Sequence, residues 1–402
     1  MIDLDVNDNS QIIFETLNAR GTPLLASDLI KNAVFHRSEE LHLATEELYA
    51  QYWRDLDHRW WREEVTQGRL RRPRLDVFFF HWLTMRRGEE IGVHELFPEF
   101  KQYLAGESSG PEPVLHDISH HASTYREFER YPTGTREESF FYRLRATQTT
   151  TVMPLLLRVF GASDTAITPE QRDRILEAIE SWLIRRMLCR LTTKNYNVVF
   201  LNLLKTVRDE IGSAGDAAVA FFRGLDGESQ IWPTDEEVRT ALTTLPLYRV
   251  LGQGRLRVVL EAIESWLRPP HVEEPSPPRG LTIEHVMPQA WGTNWPLPAD
   301  RNTLENRLRR ETLVHSLGNL TLVTGKLNPK LSNEPWEIKR ETLEDHTVLF
   351  LNRQIVEHER WDEDAIIERS NRLTDAVLGI WAGPESGSWG SEIGRASCRE
   401  RV

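Results

Sequence analysis

The chain has 402 residues, 40% of them apolar and 27% charged, the make-up of a soluble protein with two or three domains. A net charge of -12 excludes a generally basic, indiscriminate nucleic-acid binder, and two cysteines exclude a disulfide framework or a zinc site built from cysteines alone. With no run of 18 apolar residues and no basic-then-apolar leader, the expectation is a cytoplasmic protein without a membrane partner.

In chain order, residues 12 to 32, IIFETLNARGTPLLASDLIKN, read as two short helices. Phe14 and Leu17 form a helical apolar pair, Asn18 to Gly21 reads as a helix end, and Pro23 resists continuation. Ser27 followed by Asp28 can cap the next helix, which carries Leu29, Ile30 and Val34. Arg20 and Lys31 read as cap and surface residues of a helical connector. Trp60 and Trp61 then precede a run from Arg62 to Arg74 with five Arg against two Glu. Aromatics beside arginines can stack on bases, but Pro73 interrupts the run, and a core tryptophan pair followed by a surface loop is the preferred reading.

Residues 37 to 270 read as mostly helical, with 3.6-residue periods strongest in 175 to 191 and 257 to 267. Asn195-Tyr196-Asn197 separates two helices, and the phrase EAIESWL occurs twice, at 177 to 183 and 261 to 267. Two copies do not make a repeat architecture. Arg185, Arg186 and Lys194 either face DNA or belong to a module that couples other parts of the chain. His120 and His121 read as exposed polar residues, and Cys189 as a packed thiol. Residues 271 to 280, HVEEPSPPRG, are the clearest linker.

The densest chemistry follows. TIEHVMPQAW, residues 282 to 291, is succeeded after a basic insert by LGNLTLVTGKLNPKLSN, residues 317 to 333. Hydrolysis of a phosphodiester needs a proton acceptor for water and a hard cation for the charge developing on oxygen. His285 suits the first task because imidazole accepts a proton near neutral pH. Glu284 offers an oxygen ligand, but alternate strand residues point to opposite faces, so a bulge or turn is expected where the two meet one site. Gly318 permits a tight bend, Asn319 fixes the loop through its side chain, and Asn328 can supply the second oxygen ligand. Few protein ligands favour Mg2+, with Mn2+ a realistic substitute. Residues 281 to 340 hold eight Lys/Arg against six Asp/Glu. Arg301, Arg307, Arg309 and Arg310 could hold the DNA backbone while Lys326 and Lys330 lie beside the scissile phosphate, although such a run is also what a solvated helix face looks like.

A carboxylate-histidine pair, an N-L-x-L segment and a further Asn in this order resemble an HNH, or ββα-metal, nuclease. The fuller pattern, I-E-H-x-x-P-Q, a Trp, L-G-N-L-T-L-V and N-x-K-L-S-N, is similar to the nuclease half of GmrSD-type restriction endonucleases, also seen in SspE-like anti-phage effectors. Residues 12 to 32 resemble the closing segment of the ParB-like domain that precedes the nuclease in that family. The resemblance implies Glu284 and Asn328 as metal ligands, His285 as general base and Asn319 as a loop-fixing residue. It also implies phage or other foreign double-stranded DNA, modified, as the substrate, and a homo-oligomer or a ParB-like partner domain as the protein partner. The family's D-G-Q-Q-R motif is absent from the sequence, so the expectation is a chain lacking most of its first domain.

Together these readings give a mainly α protein, with a helical middle region followed by a ββα-metal (HNH) nuclease module embedded in α-helices. The expected divisions are a ParB-like remnant at 1–36, a helical region at 37–270, a linker at 271–280, the nuclease module at 281–382 and a disordered tail at 383–402. The alternative is a DNA-binding or regulatory subunit whose nuclease site stays silent without the missing domain.

Overall fold

The computed structural model describes residues 25–67, 70–92, 95–269, 278–346 and 348–390. The expectations for residues 12–24, for 271–277 of the linker and for the tail beyond 390 lie outside these residues. The protein is mainly α, with two two-stranded antiparallel sheets among the described residues. No described helix is long and apolar enough to cross a membrane.

The chain divides into two compact units, both discontinuous. Of the described residues, the first takes in those within 25–130, 150–166 and 197–205, and the second those within 131–149, 167–196 and 206–390. The second unit therefore joins the strands of the 281–340 motif to helices from the middle region.

In the first unit, helix Arg74–Arg87 is the centre because its apolar residues run all the way round. Phe78, Phe79 and Trp82 are fully buried among Trp53, Trp61 and Phe100. Helix Ala26–Glu40 has no side-chain cap from Ser27 or Asp28. Its Ser27 N–H is instead received by the Asp76 carboxylate at 3.0 Å, and Asp28 pairs with Arg62 at 2.8 Å. Lys31 pairs with Asp57 at 2.6 Å. The basic run after Trp61 is a hairpin, Glu64–Gln67 with Leu70–Pro73, and not a loop. Arg74 lies over the Trp60 ring at 4.0 Å and bonds the Trp60 carbonyl. His120 is exposed as expected, whereas His121 is buried, with Nδ1 2.9 Å from the Asp117 carbonyl.

The second unit contains, in order, α1 Arg136–Thr147, α2 Pro169–Leu188, α3 Ala214–Arg223, α4 Asp235–Thr244, α5 Leu247–Val250, α6 Gln253–Leu267 and β1 Thr282–His285. There follow α7 Leu304–Leu313, β2 Leu320–Val323, α8 Asn328–Leu331, α9 Trp336–His346, α10 Phe350–Val356 and α11 Glu363–Ile380. One core cluster joins α2, α4, α6 and α11 to β2 through Ile184, Leu242, Val259, Leu320, Leu322 and Val377. A second gathers Trp295, Leu313, Val323, Trp336, Trp361 and Ile366. Helix α2 begins at a Thr168 cap and ends at Leu188, with Asn195 in the left-handed region before the next helix.

Arg185 and Arg186 do not face DNA: both are completely buried. Arg185 donates to the carbonyls of Trp381 and Pro233 and pairs with Asp235, and Arg186 donates to the carbonyls of Thr192, Ser229 and Ile231. Each guanidinium spans several loop carbonyls, which its planar set of donors suits. Burial raises the Cys189 thiol to about 11, consistent with a packed sulfur. The first part of the expected disordered tail is ordered: Gly387–Gly390 form a 3-10 turn, and buried Trp389 donates to the Gly383 carbonyl at 2.8 Å. Arg279, near the end of the expected linker, is pinned by Glu138 at 2.8 Å and Glu261 at 3.2 Å and covers the Tyr142 ring at 3.7 Å.

Glu180 sits in the core between Arg136 at 2.7 Å and Arg143 at 2.5 Å, and accepts the Trp381 indole N–H. Burial alone would raise this carboxyl, but Arg143 and Arg136 with the indole hydrogen bond outweigh it and bring the group down to about 2. In the unfolded chain a glutamate titrates at about 4.3. Its stabilising contribution is therefore complete above roughly pH 5 and is lost as the pH falls towards 2. Glu180→Gln is expected to lower the unfolding free energy at pH 7 by about 2–4 kcal/mol, because two part-buried arginines lose their partner. In urea melts at a series of pH values, the gap to wild type should narrow steadily below pH 5.

Candidate active site

The site is built on the ladder of β1 and β2. Thr282 pairs with Val323, Ile283 with Leu322, Glu284 with Thr321 and His285 with Leu320. This register is regular and contains no bulge, contrary to the expectation from the Glu-His pair. All four β2 residues are buried, which fits a strand packed on both faces. The outer edge of β2 is taken by side chains: Arg369 donates to the Leu320 carbonyl at 2.9 Å and Asn352 to that of Leu322 at 2.9 Å. The sheet stops at two strands there because its carbonyls are already satisfied.

Gly318 is required by close approach. A Cβ at this position would fall onto the Ile366 carbonyl oxygen and the Ser370 hydroxyl of α11. The Gly318 N–H donates to Ser370 Oγ at 2.9 Å, and its carbonyl accepts from Arg369 at 2.6 Å. Arg369 also reaches the Leu351 carbonyl at 3.3 Å. Burial, with Arg372 nearby, lowers the Arg369 guanidinium to about 9.

Asn319 is fully buried and uses both ends of its amide. Its Oδ1 accepts the Met287 N–H at 2.8 Å and the Trp361 indole N–H at 3.0 Å, and its Nδ2 donates to the carbonyls of Met287 and Val314, each at 2.8 Å. These bonds fix the segment that follows His285 against the end of α7. The backbone adds one more, from Val286 N–H to the Asn319 carbonyl at 2.9 Å.

Glu284 and His285 are both buried. The Glu284 carboxylate meets the Lys339 ammonium of α9 at 2.7 Å, and the same ammonium donates to the His285 carbonyl at 2.7 Å. Burial raises the Glu284 carboxyl and lowers the Lys339 amine, with their mutual attraction opposing both shifts. The His285 ring stands edge-on to Tyr248 at 4.4 Å, and its Nε2 lies 3.3 Å from Nδ1 of His315. Burial first, then the nearby His315 and Lys339, holds His285 down to about 3, so it is a neutral imidazole. Asn328, at the start of α8, donates to Thr282 Oγ1 at 3.1 Å and makes a longer bond to the Ile283 carbonyl at 3.5 Å.

The five consecutive residues Leu281 to His285 line a cavity of about 340 Å³ together with Tyr248, Gln253, Arg257, Gln289 and Asn328. The cavity therefore runs along the edge of β1 that pairs with no third strand among the described residues. This explains how neighbours on opposite faces reach one space without a bulge. Glu284, His285 and Asn328 are brought together, with Gly318 and Asn319 buried behind them. Among the described residues no three of His, Cys, Asp and Glu are grouped to hold a metal ion. The cavity lining includes one carboxylate, one imidazole and the amides of Asn328, Gln253 and Gln289, a set short of charged ligands that suits a hard cation keeping most of its waters.

The basic candidates separate. Arg307 and Arg309 are exposed on α7, and Lys326 and Lys330 are exposed around α8. Arg310 is not on the surface: it is buried, paired with Glu363 at 2.5 Å, and donates to the Trp295 carbonyl at 2.6 Å. Lys339, His315, Tyr248, Gln289 and Arg257 were missed from sequence. The Lys in WEIKR is buried where helical charge suggests solvent, and His315 carries a signal only in being two residues ahead of Leu317-Gly318-Asn319.

The fold and cavity define a mainly helical protein in which a carboxylate, an imidazole and an amide line one cavity. Residues 232–376 match the family described as GmrSD restriction endonucleases, C-terminal domain. Over that segment the chain is similar to the C-terminal domain of restriction endonucleases, and a nuclease of that type is the activity the similarity suggests. No curated protein matches the chain.

Gly318→Ala is expected to destabilise the protein by about 1–3 kcal/mol, because the collision is with backbone and not with a mobile side-chain end. A thermal melt that leaves Tm unchanged would refute the close-approach argument.

Proposed function

We propose that the chain is a metal-dependent DNA endonuclease of the HNH type, with residues 281–382 as its cleaving module, acting in modification-dependent restriction of phage or foreign DNA. The observation that supports this best is the single cavity on the β1 edge lined by Glu284, His285 and Asn328. Residues 37–270 would then form the helical region ahead of the module, and residues 1–36 the remnant of a ParB-like domain.

His285 accepts the proton of the attacking water, for which a neutral imidazole is needed. Lys339 holds the His285 carbonyl, and Asn319 holds the residues that follow, so the ring is presented from a fixed backbone. Glu284 and Asn328 are the residues that would hold Mg2+ or Mn2+. A hard cation there supplies charge stabilisation to the phosphate oxygens and the departing 3' oxygen. Arg307, Arg309, Lys326 and Lys330 offer exposed cations to the DNA backbone, and Arg257 offers one at the cavity itself. Arg310 is left out of this surface because its charge is spent internally.

One observation favours the second reading, a subunit that is silent without a partner domain. Lys339 already occupies a Glu284 oxygen at 2.7 Å, so ion binding must share or displace that contact. Restoration of cleavage on adding a ParB-like partner would support it.

His285→Ala is expected to reduce Mg2+-dependent nicking of plasmid DNA by roughly 100-fold or more. Full activity in this variant would overturn the assignment. The double variant Arg307→Ala/Arg309→Ala should flatten the plot of log affinity against log salt by about 2, close to one unit per lost phosphate contact. Arg310→Ala should instead lower Tm.

A further inference from the structure

We infer that His315 is a positioning residue that sets which nitrogen of His285 carries the proton, leaving Nδ1 of His285 as the proton acceptor. The inference rests on the endonuclease reading of the site and extends it to a residue outside the Glu-His and Asn positions.

The 3.3 Å contact joins Nε2 of His285 to Nδ1 of His315. Two neutral imidazoles bond in this way only when one nitrogen carries a proton and the other a lone pair. If His285 is the donor, its proton is on Nε2 and its Nδ1 keeps a lone pair for water. His315 then accepts at Nδ1 and carries its own proton on Nε2. If His315 is the donor, both rings carry their proton on Nδ1, and His285 has no free lone pair for catalysis. The first arrangement puts both rings in the Nε2–H form, the commoner form of a neutral imidazole in water, and the second puts both in the rarer one. The hydrogen bond couples the two choices, as happens when one ring nitrogen's partner dictates the state of the other.

The geometry holds this pairing in place. His315 is buried at the C-terminal end of α7, its N–H bonded to the Thr312 carbonyl at 3.1 Å and its carbonyl accepting from Tyr248 N–H at 3.1 Å. The Tyr248 ring lies nearly parallel to His315 at 5.8 Å and edge-on to His285 at 4.4 Å. Three rings thus fix one another's planes. The base need not find its orientation when substrate arrives.

The test has two arms on the full chain. Nitrogen-15 NMR of labelled histidines, with His285 assigned by the shifts lost in His285→Ala, should find Nε2 protonated and Nδ1 unprotonated in the wild type. A protonated Nδ1 on His285 would overturn the inference without reference to activity. In the second arm, His315→Leu should lower kcat for DNA cleavage roughly 10- to 100-fold at unchanged KM. His315→Asn, whose Oδ1 occupies the place of Nδ1, should recover most of the loss, and His315→Gln, whose amide lies further out, should not. Wild-type kcat in His315→Leu beside an inactive His285→Ala overturns the role of His315 and leaves the endonuclease reading standing. Wild-type kcat in His285→Ala overturns the reading beneath it.

Discussion

The turn that leads into β2, Leu317–Asn319, approaches helix α11 more closely than any side chain would permit, and the candidate site depends on that approach. Gly318 makes it possible, Ser370 receives the Gly318 N–H, and Arg369 binds the carbonyls of Gly318 and Leu320. With the strand seated, Asn319 falls where its amide can satisfy four partners at once. Leaving any of those buried partners unmet would cost about 1–3 kcal/mol each. The amide therefore holds the turn after His285 more firmly than the four-residue ladder could alone. The line of support runs from a missing Cβ, through an arginine and an asparagine, to the orientation of one imidazole.

What was legible in the motif is its grouping in space. Glu284, His285 and Asn328 reach one cavity, and the helical periods around 175 to 191 and 257 to 267 do form helices. What could not be read was the destination of charge. Arg185, Arg186, Arg310 and Lys339 are buried, each because its long stem packs while its head finds carbonyls or a carboxylate. Periodicity treats such residues as solvent-facing, and nothing in their neighbours in sequence names partners that lie far along the chain. The bulge expected at Glu284-His285 is absent for a similar reason: the cavity follows a strand edge, a property of the sheet and not of the two residues.

The twice-occurring EAIESWL makes the same point. Its fourth residue is Glu180 in one copy and Glu264 in the other, and both carboxylates are buried. Glu180 binds two arginines and an indole, whereas Glu264 receives the N–H groups of Phe350 and Leu351 at the start of α10 and pairs with Arg268. The second arrangement satisfies a helix N-terminus with a carboxylate from elsewhere in the fold. Identical local sequence therefore serves different tertiary tasks, and what the two copies share is the helix and a buried, arginine-paired carboxylate.

The edge of β1 carries a consequence for how the site tolerates change. Two main-chain carbonyls stand among the lining residues, with Arg257 reaching that of Leu281 and Asn328 that of Ile283, each at 3.5 Å. Peptide groups are common to all residues, so most side-chain replacements at Leu281 and Ile283 preserve the polar character of that wall. Proline or a one-residue deletion in this stretch acts differently, since either alters the peptide groups themselves or moves them out of register. The two carbonyls thus survive substitution of their own side chains, and they do not survive small changes of length.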